Sequence, residues 1–164
     1  MVRVRVAEVE DIRGLMDCQA QVLESLRGVL PTQFIEYQIS WLRTSVGGDG
    51  PEKMIEGRNT IGLVAEEAGS IVGFAQGKVD GGGTSWLAYM GVIPAFRRRG
   101  VARALVERFL TESRTMGAQK VSLYTAPELG PAIKLYTGMG FNAESRTRHH
   151  RYGVDLILYS RSLD

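Results

Sequence analysis

Arg97, Arg98, Arg99, Gly100 and Arg103 stand where an apolar run, residues 86–92, gives way to a helical period. Residues of these types at a strand-to-helix junction are suited to binding an anion. The first turn of a helix leaves backbone N–H groups without partners, and the positive end of the helix dipole adds to their pull on a phosphate. Gly100 lets the main chain come close to a ligand, and Ala102 keeps the first turn free of bulk. A second basic group, Arg146, Arg148 and Arg151, lies towards the C-terminal end. Twenty basic against eighteen acidic residues leave a net charge of only +2, too small a surplus to neutralise the many phosphates of a polynucleotide. The two groups therefore suit a small polyanion, and nucleic acid is not expected as a partner.

Other reactive types are sparse. Cys18 is the one cysteine, so there is no internal disulfide, and no CxxC or His/Cys cluster at zinc-ligand spacing calls for a metal. Cys18 falls in a helical run, where it reads as a small buried hydrophobe. The start, Val2, Val4 and Val6 alternating with Arg3 and Arg5, lacks the apolar core of a signal peptide. No stretch reaches the roughly 20 apolar residues of a membrane span. A cytoplasmic protein without a membrane partner is expected. With 164 residues, 44% of them apolar and 23% charged, the chain is expected to form one globular domain over residues 1–164.

The elements that must position these residues follow from periodicity. Residues 2–6 alternate as a half-buried strand, and Asp11 is placed to cap a helix over 11–26 carrying Ile12, Leu15, Met16, Val22, Leu23 and Leu26. Pro31 opens a second helix over 33–42, ahead of a glycine-rich stretch, 47–57, expected to be a mobile loop. Runs 61–66, 71–79 and 85–92, separated by turns at 67–70 and 81–83, predict an antiparallel meander. Val101, Ala102, Leu105, Val106, Phe109 and Leu110 form the apolar stripe of a long helix ending near Gly117. Val121, Leu123 and Tyr124 predict a buried strand, Pro131 opens a helix reaching Tyr136, and 141–152 and 154–163 close the chain as two strands. The order is βααβββαβαββ. Strand, long helix and strand at 85–125 make a crossover, so those two strands run parallel in an otherwise hairpin-built sheet.

Arg-x-x-Gly-x-Ala after Val-x-Pro, carried by Val92, Pro94, Arg97, Gly100 and Ala102, resembles the acetyl-CoA-binding motif of the GNAT family of N-acetyltransferases. The family's usual glycine after the first arginine is Arg98 here. A second element, Ala132, Ile133, Tyr136, Gly140 and Phe141, is similar to the family's helix with a Gly-Phe ending, and the element order agrees over nearly the whole chain. The resemblance implies an α/β fold of the α+β type, a mixed, mostly antiparallel seven-stranded sheet flanked by four helices. It implies that amides of Arg98, Arg99, Gly100, Val101, Ala102 and Arg103 hold the pyrophosphate of acetyl-CoA, and that Met90, Gly91 and Val92 pair with its pantetheine arm. The implied reaction is acetyl transfer to a primary amine of a small molecule by a monomer or homodimer. A CoA-binding module without turnover and a protein or peptide amine acetyltransferase are the alternatives.

Acetyl transfer needs a deprotonated nucleophile, stabilisation of the thioester oxygen and a proton for the departing thiolate. Tyr136 is similar in position to the tyrosine many members place near the CoA sulfur, and is otherwise an aromatic of the core. A backbone N–H among residues 90–92 would face the oxyanion. The base stays open among Tyr89, Glu24, Glu128, His149, His150 and a water chain. Tyr124 stands where members that modify ribosomal-protein N-termini carry a glutamate, and Leu129 replaces the asparagine common before the family's last helix, which disfavours a peptide N-terminus.

Overall fold

The computed structural model describes residues 1–44 and 52–164. Among them are seven strands: β1 (Arg3–Val6), β2 (Thr60–Glu67), β3 (Ser70–Val79), β4 (Thr84–Val92), β5 (Lys120–Thr125), β6 (Asn142–Arg151) and β7 (Val154–Ser162). The helices are α1 (Ile12–Glu24), α2 (Thr32–Thr44), α3 (Lys53–Glu56), α4 (Val101–Thr115) and α5 (Gly130–Gly138). The sheet order is β1-β2-β3-β4-β5-β7-β6, with β4 and β5 parallel and every other neighbouring pair antiparallel. This is the expected mixed sheet, with five helices where four were expected. The added α3 has four residues, too short to leave a periodic signal. The expected loop over 47–57 lies outside the described residues as far as 51.

Helices cover both faces because the strands are apolar on both. Leu105, Val106 and Phe109 of α4 bury against Leu63, Val72, Ala75 and Leu87, and each such side chain contributes about 1.5–3 kcal/mol. Leu15, Cys18 and Val22 of α1 pack on Val64 and Phe74, and Ile35 and Ile39 of α2 pack with Leu30, Ala126 and Val154. Ser85 and Ser113 share a buried hydrogen bond of 2.8 Å that ties α4 to β4.

Four local expectations are corrected. Asp11 does not cap α1 with its side chain; its carboxylate accepts two bonds from Arg5, at 2.7 and 2.8 Å, and one from the Glu8 N–H. A short 3-10 turn, Val9–Asp11, precedes the helix, which ends at Glu24 instead of 26. Val6 is exposed, while Arg5 is drawn inward by Asp11 and Glu66. Tyr124 is not buried: half of it is exposed, and its ring stacks on Trp86 with centroids 5.9 Å apart.

Candidate functional site

The site begins with a fault in the sheet. Along β3 and β4, Gln76 pairs with Tyr89 and Gly77 with Leu87, so Ala88 is an extra residue, a bulge that bends β4. Thr84, Ser85 and Trp86 pair in order with Lys120, Val121 and Ser122, after which the β4–β5 ladder stops. β5 continues to Thr125 alongside β7, while β4 continues to Val92 alongside β3. The two strands thus part, and among the described residues the edge of 87–92 that faces β5 is backbone without a ladder partner. Met90, Gly91 and Val92 lie on that edge. At Gly91 a Cβ would come within 2.7 Å of Val22, so the glycine lets α1 close over the strand.

Beyond Val92 the chain makes a 3-10 turn, Pro94–Phe96, and then enters α4 through Arg97–Gly100. Gly100 has φ +78°, a left-handed conformation that glycine adopts without cost, and nothing lies within 4 Å of the Cβ it lacks. Arg98 is also left-handed, at φ +62°, at the position where the resemblance notes a glycine. No side chain caps α4, and its first backbone bond runs from the Ala104 N–H to the Gly100 carbonyl at 3.0 Å. The N–H groups of Val101, Ala102 and Arg103 therefore stand at an open, electropositive helix end.

The arginines of the loop have distinct roles. Arg97 Nε donates to the Val92 carbonyl at 2.8 Å, and its guanidinium also donates to Ser25 Oγ at 2.7 Å. Ser25 in turn donates to the Val22 carbonyl, so Arg97 braces the loop against the end of β4 and the end of α1. Arg99 lies 5.0 Å over the Phe96 ring, and Arg103 faces Glu107 at 3.5 Å across an exposed turn of helix. Arg98 has no side-chain partner among the described residues. Ser25 carries no sequence signal for this role, since its partner is 72 positions away.

Tyr136 sits on α5, 6% exposed, with its ring edge-on to Phe141 at 5.7 Å. Burial pushes its phenol well above the ordinary tyrosine value, so it stays protonated over the working range. Its hydroxyl has no hydrogen-bond partner among the described residues. Of the base candidates, Tyr89 lies on the parted strand; burial raises its phenol, the Arg151 charge opposes that rise and Tyr37 adds to it. Glu24 is paired with Arg27, and Glu128 is exposed in the turn after β5. His149 and His150 are exposed on β6, the backbone N–H of His149 donating to Asp155 at 2.9 Å. Only Tyr89 of these is on the parted segment. Cys18 is fully buried and its thiol is pushed up to about 12 by desolvation, which removes it as a nucleophile.

Beside Tyr89 lies a feature with no sequence signal. Gln19 of α1 donates its amide to Gln76 of β3 at 2.7 Å, both side chains being buried. The outer atoms, Gln19 Oε1 and Gln76 Nε2, have no partner among the described residues. Among the described residues no group of His, Cys, Asp and Glu is arranged to hold a metal, and no helix is long and apolar enough to cross a membrane.

Comparison with known proteins follows the same lines. A profile described as the acetyltransferase (GNAT) family matches residues 26–141. Acetyltransferase SG1711 of Sodalis glossinidius is 34% identical over 83 residues, which are 50% of this chain and 57% of that protein, so the chain spans little more than half of that relative. The PaiA N-acetyltransferase of Thermoplasma acidophilum, solved in complex with coenzyme A, superposes with a TM-score of 0.79 over 96% of this chain and 98% of that one, at 16% identity. The ribosomal-protein-S18-alanine N-acetyltransferase of Escherichia coli superposes with a TM-score of 0.74 over 99% and 94%, at 19% identity.

Proposed function

Because this chain belongs to the acetyltransferase (GNAT) family, we propose that it transfers the acetyl group of acetyl-CoA to a primary amine of a small molecule. The observation that carries this reading is the parting of β4 from β5 directly before an uncapped helix N-terminus. An extended arm of amides and a pyrophosphate need those two features in sequence, one offering strand-edge hydrogen bonds and the other aligned N–H groups. Residues 90–92 would pair with the arm, and the amides of residues 98–103 would hold the phosphates. The face of β4 towards α4 is filled by Leu87 and Val92 in the core, so the acceptor is assigned to the opposite face, where α1 and α2 pack. A shallow concavity there, lined by Thr32, Gln33, Glu36, Tyr37, Ser40 and Tyr152, suits a small amine.

In the proposed reaction the free amine attacks the thioester carbonyl carbon in a ternary complex. A C–N bond forms, the carbonyl oxygen gains charge against a strand-edge N–H of residues 90–92, and the C–S bond breaks as the tetrahedral intermediate collapses. Tyr136 is proposed to pass its proton to the departing sulfur. The desolvation that raises the phenol also disfavours a thiolate expelled into the same dry surroundings, which offsets the added cost of taking the proton from a buried tyrosine. The amine's own proton leaves by way of Tyr89 or solvent.

The test is acetyl transfer by the purified chain across polyamines, aminoglycosides, amino acids and peptide amines, with released thiol and acetylated product both measured. Thiol release that depends on one class of amine, with matching product, is the expected result. A chain that gains thermal stability with acetyl-CoA but acetylates no amine would be a CoA-binding module of the same fold.

A further inference from the structure

Arg151, at the end of β6, is held against Tyr37 of α2, beside Tyr152 of its own hairpin turn. Its guanidinium donates to Tyr37 Oη at 3.1 Å and lies 5.1 Å over the Tyr37 ring. Tyr152 packs beside the same ring, with centroids 5.9 Å apart. The Arg151 charge is also felt at the Tyr89 phenol of β4. Arg151 has no carboxylate partner among the described residues. The acidic groups nearest in the chain are committed elsewhere, Asp155 to Arg146 at 2.7 Å and Glu36 to Arg27 at 2.6 Å. Arg148, His149 and His150 add no negative charge to this end of the hairpin.

A guanidinium fixed by a phenol and an aromatic face, with its charge uncancelled, is a preorganised receptor for a compact anion. Its planar fork matches a carboxylate in two parallel bonds, and little side-chain freedom remains to be lost on binding. The frame borders the shallow concavity assigned above to the acceptor, which Tyr37 and Tyr152 help to line. We propose that Arg151 anchors the carboxylate of the acceptor, and that the substrate class is amines carrying a carboxylate, of the amino-acid kind. The inference rests on the proposed acetyl transfer. Polycationic acceptors are disfavoured by the same charge, since each would bring a second cation to a site already holding one uncompensated cation.

The experiment pairs each amino acid with its decarboxylated amine, phenylalanine with phenethylamine and leucine with 3-methylbutylamine, and measures KM and kcat for wild type, Arg151→Gln and Arg151→Lys. The expected result is a preference of wild type for the carboxylate-bearing partner. Arg151→Gln should raise KM for that partner by about 10- to 100-fold, the loss expected for one charged hydrogen-bonded contact. Arg151→Lys should recover part of it, and the KM for acetyl-CoA should hold. Acetylation of the decarboxylated amines in preference, or an equal KM rise for both partners in Arg151→Gln, would overturn the anchor while leaving acetyl transfer standing. If neither partner of any pair is acetylated while polyamines or aminoglycosides are, the substrate class is wrong. If no amine of any kind is acetylated, the proposed function falls and the anchor with it.

Discussion

Tyr136 packs against Phe141 inside the main core, yet its hydroxyl finds no partner among the described residues. That combination separates the two readings the sequence left open for it. A core aromatic needs the ring, and a proton donor needs the hydroxyl. Tyr136→Phe keeps the ring and removes no hydrogen bond seen among the described residues, so the melting temperature and acetyl-CoA affinity are expected to stay close to wild type. Turnover is expected to fall by about 100-fold, the low end for a positioned acid, because a thiolate is already a fair leaving group. Steady-state kinetics beside a melting curve read both; wild-type kcat would show that the sulfur leaves unaided. The residue type and helix of Tyr136 were legible in the sequence, but the bare hydroxyl was not. Asp11 teaches the same lesson: it has the type and place of a helix cap, and a bond to Arg5, itself drawn to Glu66 of β2, takes its carboxylate away.

The loop between β4 and α4 is where an element acts as a unit. Read along the sequence, Arg97 is an anion contact; in the fold its Nε and one terminal nitrogen donate to the Val92 carbonyl and Ser25 Oγ. Both acceptors are uncharged, so the loss of acetyl-CoA affinity in Arg97→Ala is expected to keep the same ratio to wild type from low to high salt. Ser25→Ala should reproduce part of that loss. Binding titrations at several ionic strengths check this, and a ratio that shrinks as salt rises would mean that Arg97 touches phosphate directly. Gly100→Ala should weaken binding more, because a left-handed Ala costs about 1–2 kcal/mol and the helix entry would relax away from it. Helix and strand periods located this junction to within a residue or two. The brace itself joins residues 72 positions apart, and no local pattern announces it.

At the scale of the molecule, the parallel β4–β5 pair was readable from the crossover between them. A free edge at residues 90–92 was implied by the family resemblance, but its cause, the Ala88 bulge and β7 taking the far edge of β5, was not legible. Likewise the frame around Arg151 unites α2 and the β6–β7 hairpin, elements the sequence placed separately but could not bring together. The central claim is that acetyl-CoA occupies the parted strand edge and the end of α4 together. Residue-resolved amide hydrogen exchange, with and without acetyl-CoA, tests this most directly. Slowed exchange at residues 90–92 and 98–103 in the same titration, with β1 unchanged, is the result expected. Slowing confined to other segments, or slowing at residues 98–103 with none at residues 90–92, would contradict it.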